Sequence, residues 1–132
     1  GTTNYVGAVG LGRAVEYLIS AGIQAVSAHE HELLEYAVRR LDELGYVTIY
    51  GRAPQKTSLV TFNLKNIHPY DAGMVLDKMG IAVRTGTHCA QPVMKHYGIE
   101  GNIRASFAIY NTLEEIDSMI EGIERVKTMF GG

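Results

Sequence analysis

Asn102 to Tyr110 constrains the fold more than any other stretch. Ile103, Ala105, Phe107 and Ile109 alternate with Arg104, Ser106, Ala108 and Tyr110, the period-two pattern of a strand with two unlike faces. Directly after it, Thr112-Leu113-Glu114-Glu115 is a capping-box sequence, in which the Thr and Glu side chains each satisfy a backbone N–H at a helix start. The helix it opens carries Ile116, Met119, Ile120, Ile123 and Val126 on one face, with Arg125 and Lys127 near its negative end. Such a strand needs further strands beside it and a helical layer over its apolar face.

The rest of the chain supplies both. Thr3 or Asn4 can cap a helix from Val6 to Ile19, with Ala8, Leu11, Ala14, Val15, Leu18 and Ile19 at helical spacing. Val6, Val9 and Tyr17 widen that stripe, so this helix is expected to pack on two neighbours, one of them outside this chain. Ala21-Gly22 breaks it, and a second helix runs from about Gln24 to Leu44, stopped by Gly45. Val47–Tyr50 and Ser58–Leu64 read as an antiparallel pair of strands. His68-Pro69 opens a helix that reaches Gly80, and Gly80-Ile81-Ala82-Val83 reads as a turn entering a short buried strand. A short helix follows, Pro92 to Tyr97, closed by Gly98.

This order predicts an α+β domain, a small, mostly antiparallel sheet with helices packed on one face. With 132 residues, 46% of them hydrophobic, the chain suits a single core. Its net charge of −2 argues against nucleic acid or an anionic membrane as partner. The longest uncharged runs, such as Tyr17 to Ala28, are too short to cross a bilayer. No signal peptide is visible, and one cysteine makes no internal disulfide, so a cytoplasmic setting is expected. A start at Gly1-Thr2-Thr3-Asn4, without Met, reads as a piece of something longer. His29 and His31, two apart, point to different sides of their helix and are taken as solvated. His68 is expected to be a helix cap or a surface group rather than a ligand, and His96 to lie on the surface. No metal-ligand cluster is apparent, and Gly7-Ala8-Val9-Gly10-Leu11-Gly12 lies inside a helical pattern, not in a phosphate loop.

Chemistry concentrates in Arg84-Thr85-Gly86-Thr87-His88-Cys89-Ala90-Gln91-Pro92, between a strand end and a helix start. A helix start carries partial positive charge, which favours a thiolate at a nearby cysteine. Cys89 reads equally as an exposed nucleophile or as a small buried hydrophobe. Arg104, on a sheet strand, needs an anion. Either a bound carboxylate or phosphate or a protein acid such as Asp71 or Glu100 would serve, and Arg84 invites the same two readings.

The stretch Arg84–Pro92 resembles the cysteine loop of the SUF-type (group II) cysteine desulfurases, written Arg-x-Gly-His-His-Cys-Ala. Gly1-Thr2-Thr3-Asn4 is similar to the Gly-Thr-Pro-Asn that begins their C-terminal part, and Arg104-Ala105-Ser106 through Tyr110-Asn111-Thr112 also matches. Thr87 stands where the family has its first motif histidine, and Thr3 where it has proline. The resemblance covers the whole chain. It implies the small C-terminal domain, residues 1–132, of a pyridoxal-phosphate enzyme of the class V aminotransferase group, fold-type I. Residues 1–44 would be two helices packing on an absent large domain, and 45–132 an α/β sandwich carrying the cysteine loop at 84–92.

The implied parent is a homodimer. It takes sulfur from L-cysteine, or selenium from selenocysteine in the selenocysteine lyase variant, leaves alanine, and passes a persulfide to an acceptor protein for iron–sulfur cluster assembly. Cys89 would be the catalytic nucleophile and Arg104 would grip the substrate carboxylate. Arg84 and His88 would assist at the substrate, and Thr2 would reach the cofactor phosphate across the dimer interface. None of Lys56, Lys65, Lys78, Lys95 and Lys127 has the sequence context of the cofactor lysine, so the fragment alone is expected to be inactive. Two other readings stand beside this one. The chain could be a non-catalytic sulfur-carrier or interaction domain, or part of a class V aminotransferase or lyase with another substrate.

Overall fold

Four strands pair into one antiparallel sheet in the order β1-β2-β4-β3, where β1 is Val47–Tyr50, β2 Leu59–Leu64, β3 Arg84–Gly86 and β4 Asn102–Ser106. Five helices complete the chain: α1 Tyr5–Ala21, α2 Ile23–Glu43, α3 Pro69–Lys78, α4 Gln91–Tyr97 and α5 Leu113–Phe130. This computed structural model describes residues 1–130, and the last two residues of the expected 1–132 domain lie outside the described residues.

The period-two pattern decides which face of the sheet is dry. Ile49, Val60, Phe62, Leu64, Ile103 and Ala105 share one face and are buried. Against them pack Leu33, Leu34, Ala37 and Leu41 of α2, Ala72 and Leu76 of α3, and the whole predicted apolar face of α5. At Gly122 of α5, a Cβ would stand 2.7 Å from Ile81 Cδ1 and 2.8 Å from Leu76 Cδ2, so a bare backbone lets α5 approach α3 closely. Tyr50, Thr61, Arg104 and Arg84 line up across the opposite face by register. Short α4 lies over part of that second face, with Tyr97 edge-on to Tyr50 at 5.1 Å between ring centroids.

Local signals act where the sequence places them. Thr112 Oγ1 accepts from Glu115 N–H at 3.3 Å while Glu115 Oε2 accepts from Thr112 N–H at 3.1 Å, both halves of the capping box. His68 caps α3, its Nδ1 accepting from Tyr70 N–H at 3.2 Å. Asn4 caps α1, its Oδ1 accepting from Gly7 N–H at 3.0 Å. Gly22, at φ 85°, separates α1 from α2, and the two axes meet at 77°. α2 belongs to this chain's own core, but α1 buries none of its residues: Val6, Val9 and Tyr17 are 69%, 67% and 62% exposed.

Three expectations need correction. The strand before the cysteine loop is Arg84–Gly86, not Gly80–Val83. Asn102–Arg104 is the segment available for pairing, and it meets the chain only after Val83. β4 ends at Ser106, four residues short of Tyr110, because β2 begins at Leu59, the partner of Ser106. After one further bond, Phe107 N–H to Ser58 O at 2.8 Å, the chain turns, with Asn111 Oδ1 accepting from Ala108 N–H at 2.8 Å. His29 is not simply solvated. Its Nε2–H donates to Asn111 O at 3.0 Å and ties α2 to the turn before α5.

Candidate functional site

The polar face of the sheet and the loop leaving β3 form one region. Gly86, Asn102's partner in register, has φ 120°, and the chain then passes through His88 at φ 53° and Cys89 at φ 58°. Two successive non-glycine residues in the left-handed region cost roughly 1–2 kcal/mol each, so other contacts must hold them there. Ala90 N–H donates to Thr87 O at 2.9 Å and closes the turn, and Ala90 O accepts from Val93 and Met94 as α4 begins. Cys89 sits at the crest of this turn, exposed and free of any disulfide. Within this chain, then, Cys89 is not buried among apolar side chains.

His88 points back to the sheet. Its Nε2 lies 2.7 Å from Asn102 Oδ1, and its Nδ1 is buried without a partner. Asn102, 4% exposed, is the one buried polar residue in the described part of the chain. Its Nδ2 reaches Met94 Sδ of α4 at 3.7 Å. Sequence reasoning missed Asn102, which looked like the first residue of a strand and nothing more.

Arg104 stands between Thr61 of β2 and Arg84 of β3 in register. It is half-buried, and its Nε–H is shut off from water with no acceptor. Neither acid considered from the sequence meets it: Glu100 lies 3.6 Å from His68 Nε2, and Asp71 occupies the first turn of α3. Arg84 is exposed. Two like charges directly opposite on neighbouring strands repel, and an anion held there would relieve both that repulsion and the unsatisfied donor. Thr2 is elsewhere, exposed before α1, a helix that packs chiefly on α2. The fold thus brings Arg84, His88, Cys89 and Arg104 to one region and leaves Thr2 apart.

The class-V aminotransferase family model matches residues 1–119. The chain belongs to the class-V aminotransferases. A probable cysteine desulfurase of Halalkalibacterium halodurans is 50% identical over 132 residues, 99% of this chain and 32% of the relative. One of Streptomyces coelicolor is 49% identical over 133 residues, with the same coverage. Among solved structures, apo cysteine desulfurase from Thermococcus onnurineus NA1 superposes with a TM-score of 0.91 at 40% identity, over 97% of this chain and 32% of that one. The cysteine desulfurase CsdA of Escherichia coli, in an S-sulfonic acid form, gives 0.91 at 32% identity, over 98% and 32%. This class-V aminotransferase chain spans about a third of the length of the relatives it matches. A cleft of about 340 Å³ also opens in it between Met79–Ala82 and the start of α5, but it adjoins Ala105–Phe107, the end of β4 remote from the cysteine loop.

Proposed function

We propose that this chain is the C-terminal domain of a pyridoxal-phosphate-dependent cysteine desulfurase, which converts L-cysteine to L-alanine and leaves the sulfur on Cys89. One observation carries the reading. An exposed thiol stands on a strained loop beside a sheet face whose arginine, Arg104, has a buried N–H and no protein carboxylate to satisfy it. That donor set fits the carboxylate of an amino acid.

In this reading Arg104 binds and orients the substrate by its carboxylate, with Arg84 adding positive charge at the open edge of the sheet. Cys89 Sγ, as thiolate, takes the substrate sulfur and becomes a persulfide as the carbon–sulfur bond opens. Exposure of the loop lets that persulfide meet an acceptor protein. Pyridoxal phosphate, when bound, supplies the electron sink that makes the carbon–sulfur bond labile. Its lysine lies in the part of the protein outside this chain. The resemblance to the desulfurases assigns Thr2 to the cofactor phosphate of the other subunit of a homodimer, and its exposed position before α1 leaves its hydroxyl open to such a contact. The bare surface of α1 supports a further packing partner outside this chain, the large domain.

The test is the full-length protein with L-cysteine and pyridoxal phosphate. Alanine release and a persulfide on Cys89, seen by mass spectrometry, are expected, and both are lost in Cys89→Ala while the substrate still binds. Arg104→Met raises KM for L-cysteine. Unchanged alanine release in Cys89→Ala would refute the proposal and favour class-V chemistry on a different substrate.

A further inference from the structure

A buried amide persists only where its hydrogen bonds are made. Asn102 meets that demand with two different partners, one on each side of Cys89 in sequence. Its Oδ1 lies 2.7 Å from Nε2 of His88, the residue before the cysteine. Its Nδ2 lies 3.7 Å from Sδ of Met94, a buried residue of the helix after it. The alternative amide orientation would set oxygen against thioether sulfur and lose the one donor that sulfur can accept. A carbonyl oxygen only accepts, so His88 Nε2 carries a proton, and in the neutral ring the buried Nδ1 then keeps the lone pair. One rigid strand residue thereby fixes the tautomer of the histidine next to the sulfur and clasps both flanks of a loop held in two left-handed conformations.

We infer that Asn102 is a positioning residue for the sulfur step, acting through His88. This rests on the reading of Cys89 as the sulfur acceptor. The amide holds the His88–Cys89 backbone in its strained form and keeps His88 Nδ1 as an acceptor on the residue adjacent to the thiol. Substrate affinity, assigned to Arg104, is outside its reach.

The experiment uses full-length protein labelled with ¹⁵N-histidine, together with steady-state kinetics. His88 ring signals are identified by their loss in His88→Gln. In the wild type, long-range ¹H–¹⁵N correlations are expected to show the proton on Nε2. Asn102→Leu keeps the shape but removes the acceptor. It should lose that single-tautomer pattern and lower kcat about tenfold or more at unchanged KM for L-cysteine, as misplacement of a reacting group does. Asn102→Asp keeps the acceptor oxygen toward His88 but not the donor toward Met94, so it should hold the proton on Nε2 and recover part of the kcat lost in the Leu variant. A wild-type His88 protonated on Nδ1 alone overturns the inference without any variant. So does an Asn102→Leu protein in which either the tautomer or kcat is unchanged, or equal loss in Leu and Asp variants. A wild type with no desulfurase turnover removes the functional reading instead, and the tautomer measurement still decides the link between Asn102 and His88.

Discussion

Arg104→Met should make the unliganded chain more stable. The guanidinium Nε–H is buried with no acceptor, and an unsatisfied buried donor costs roughly 1–3 kcal/mol. Arg104 also faces Arg84 directly across β3–β4, a like-charge pairing worth a few tenths to about 1 kcal/mol, at the low end here because Arg84 is exposed. Methionine keeps the length and apolar stem of the side chain, so little packing is lost. The net expectation is a gain of about 1–3 kcal/mol. At about 2.1 cal/mol/K of unfolding entropy per residue, each kcal/mol moves the melting midpoint of a chain this size by roughly 3–4 °C. Thermal and urea unfolding of the 132-residue chain, followed by far-UV circular dichroism, measure it. The control Arg84→Met should gain less than about 1 kcal/mol, since it relieves only the repulsion. A fall in stability of 1 kcal/mol or more in Arg104→Met would show that the guanidinium is satisfied within the chain, and the argument for an exogenous carboxylate would go with it.

Gly101→Ala tests the seat of the cysteine loop. A Cβ there stands 3.1 Å from the C and O atoms of Gly86, backbone that β3–β4 pairing keeps from yielding, so a loss of about 1–3 kcal/mol and altered alkylation of Cys89 by iodoacetamide are expected. Thr112→Ala removes the hydroxyl half of the α5 cap and should cost about 1 kcal/mol in urea unfolding. The Arg52 guanidinium, hydrogen-bonded to Asp42, holds that carboxyl below its usual range. A depressed folded-state value stabilises above the unfolded value of about 3.9 and is lost as pH falls through the folded one. Arg52→Met should therefore be less stable than wild type near neutrality, by under about 1 kcal/mol for this half-exposed pair, with the gap closing in acid.

What could be read from sequence was local. The α5 cap and its apolar face, the Asn4 and His68 caps and the β1–β2 pair follow from short-range patterns, and each is present. What could not be read depends on partners distant in sequence. Ile81-Ala82-Val83 has strand composition, but register with β4 selects Arg84–Gly86 instead. His29 looked like one more polar residue on an exposed helix face until the turn at Asn111 arrived beside it, 82 residues later. The same holds at the site. The cysteine loop is a contiguous motif and declares itself, whereas the burial of Asn102 and its grip on His88 exist only once β4 and the loop are adjacent. The missing acid beside Arg104 was open in the sequence and resolved only in three dimensions.

The backbone angles at His88 and Cys89 bear on how such a chain would change under selection for heat resistance alone. Both residues adopt a conformation that glycine takes at little cost, so glycine is a favoured replacement at either place. A screen that rewards only survival of the fold would steer position 89 away from sulfur. Retention of a thiol there has to be enforced by what the thiol does.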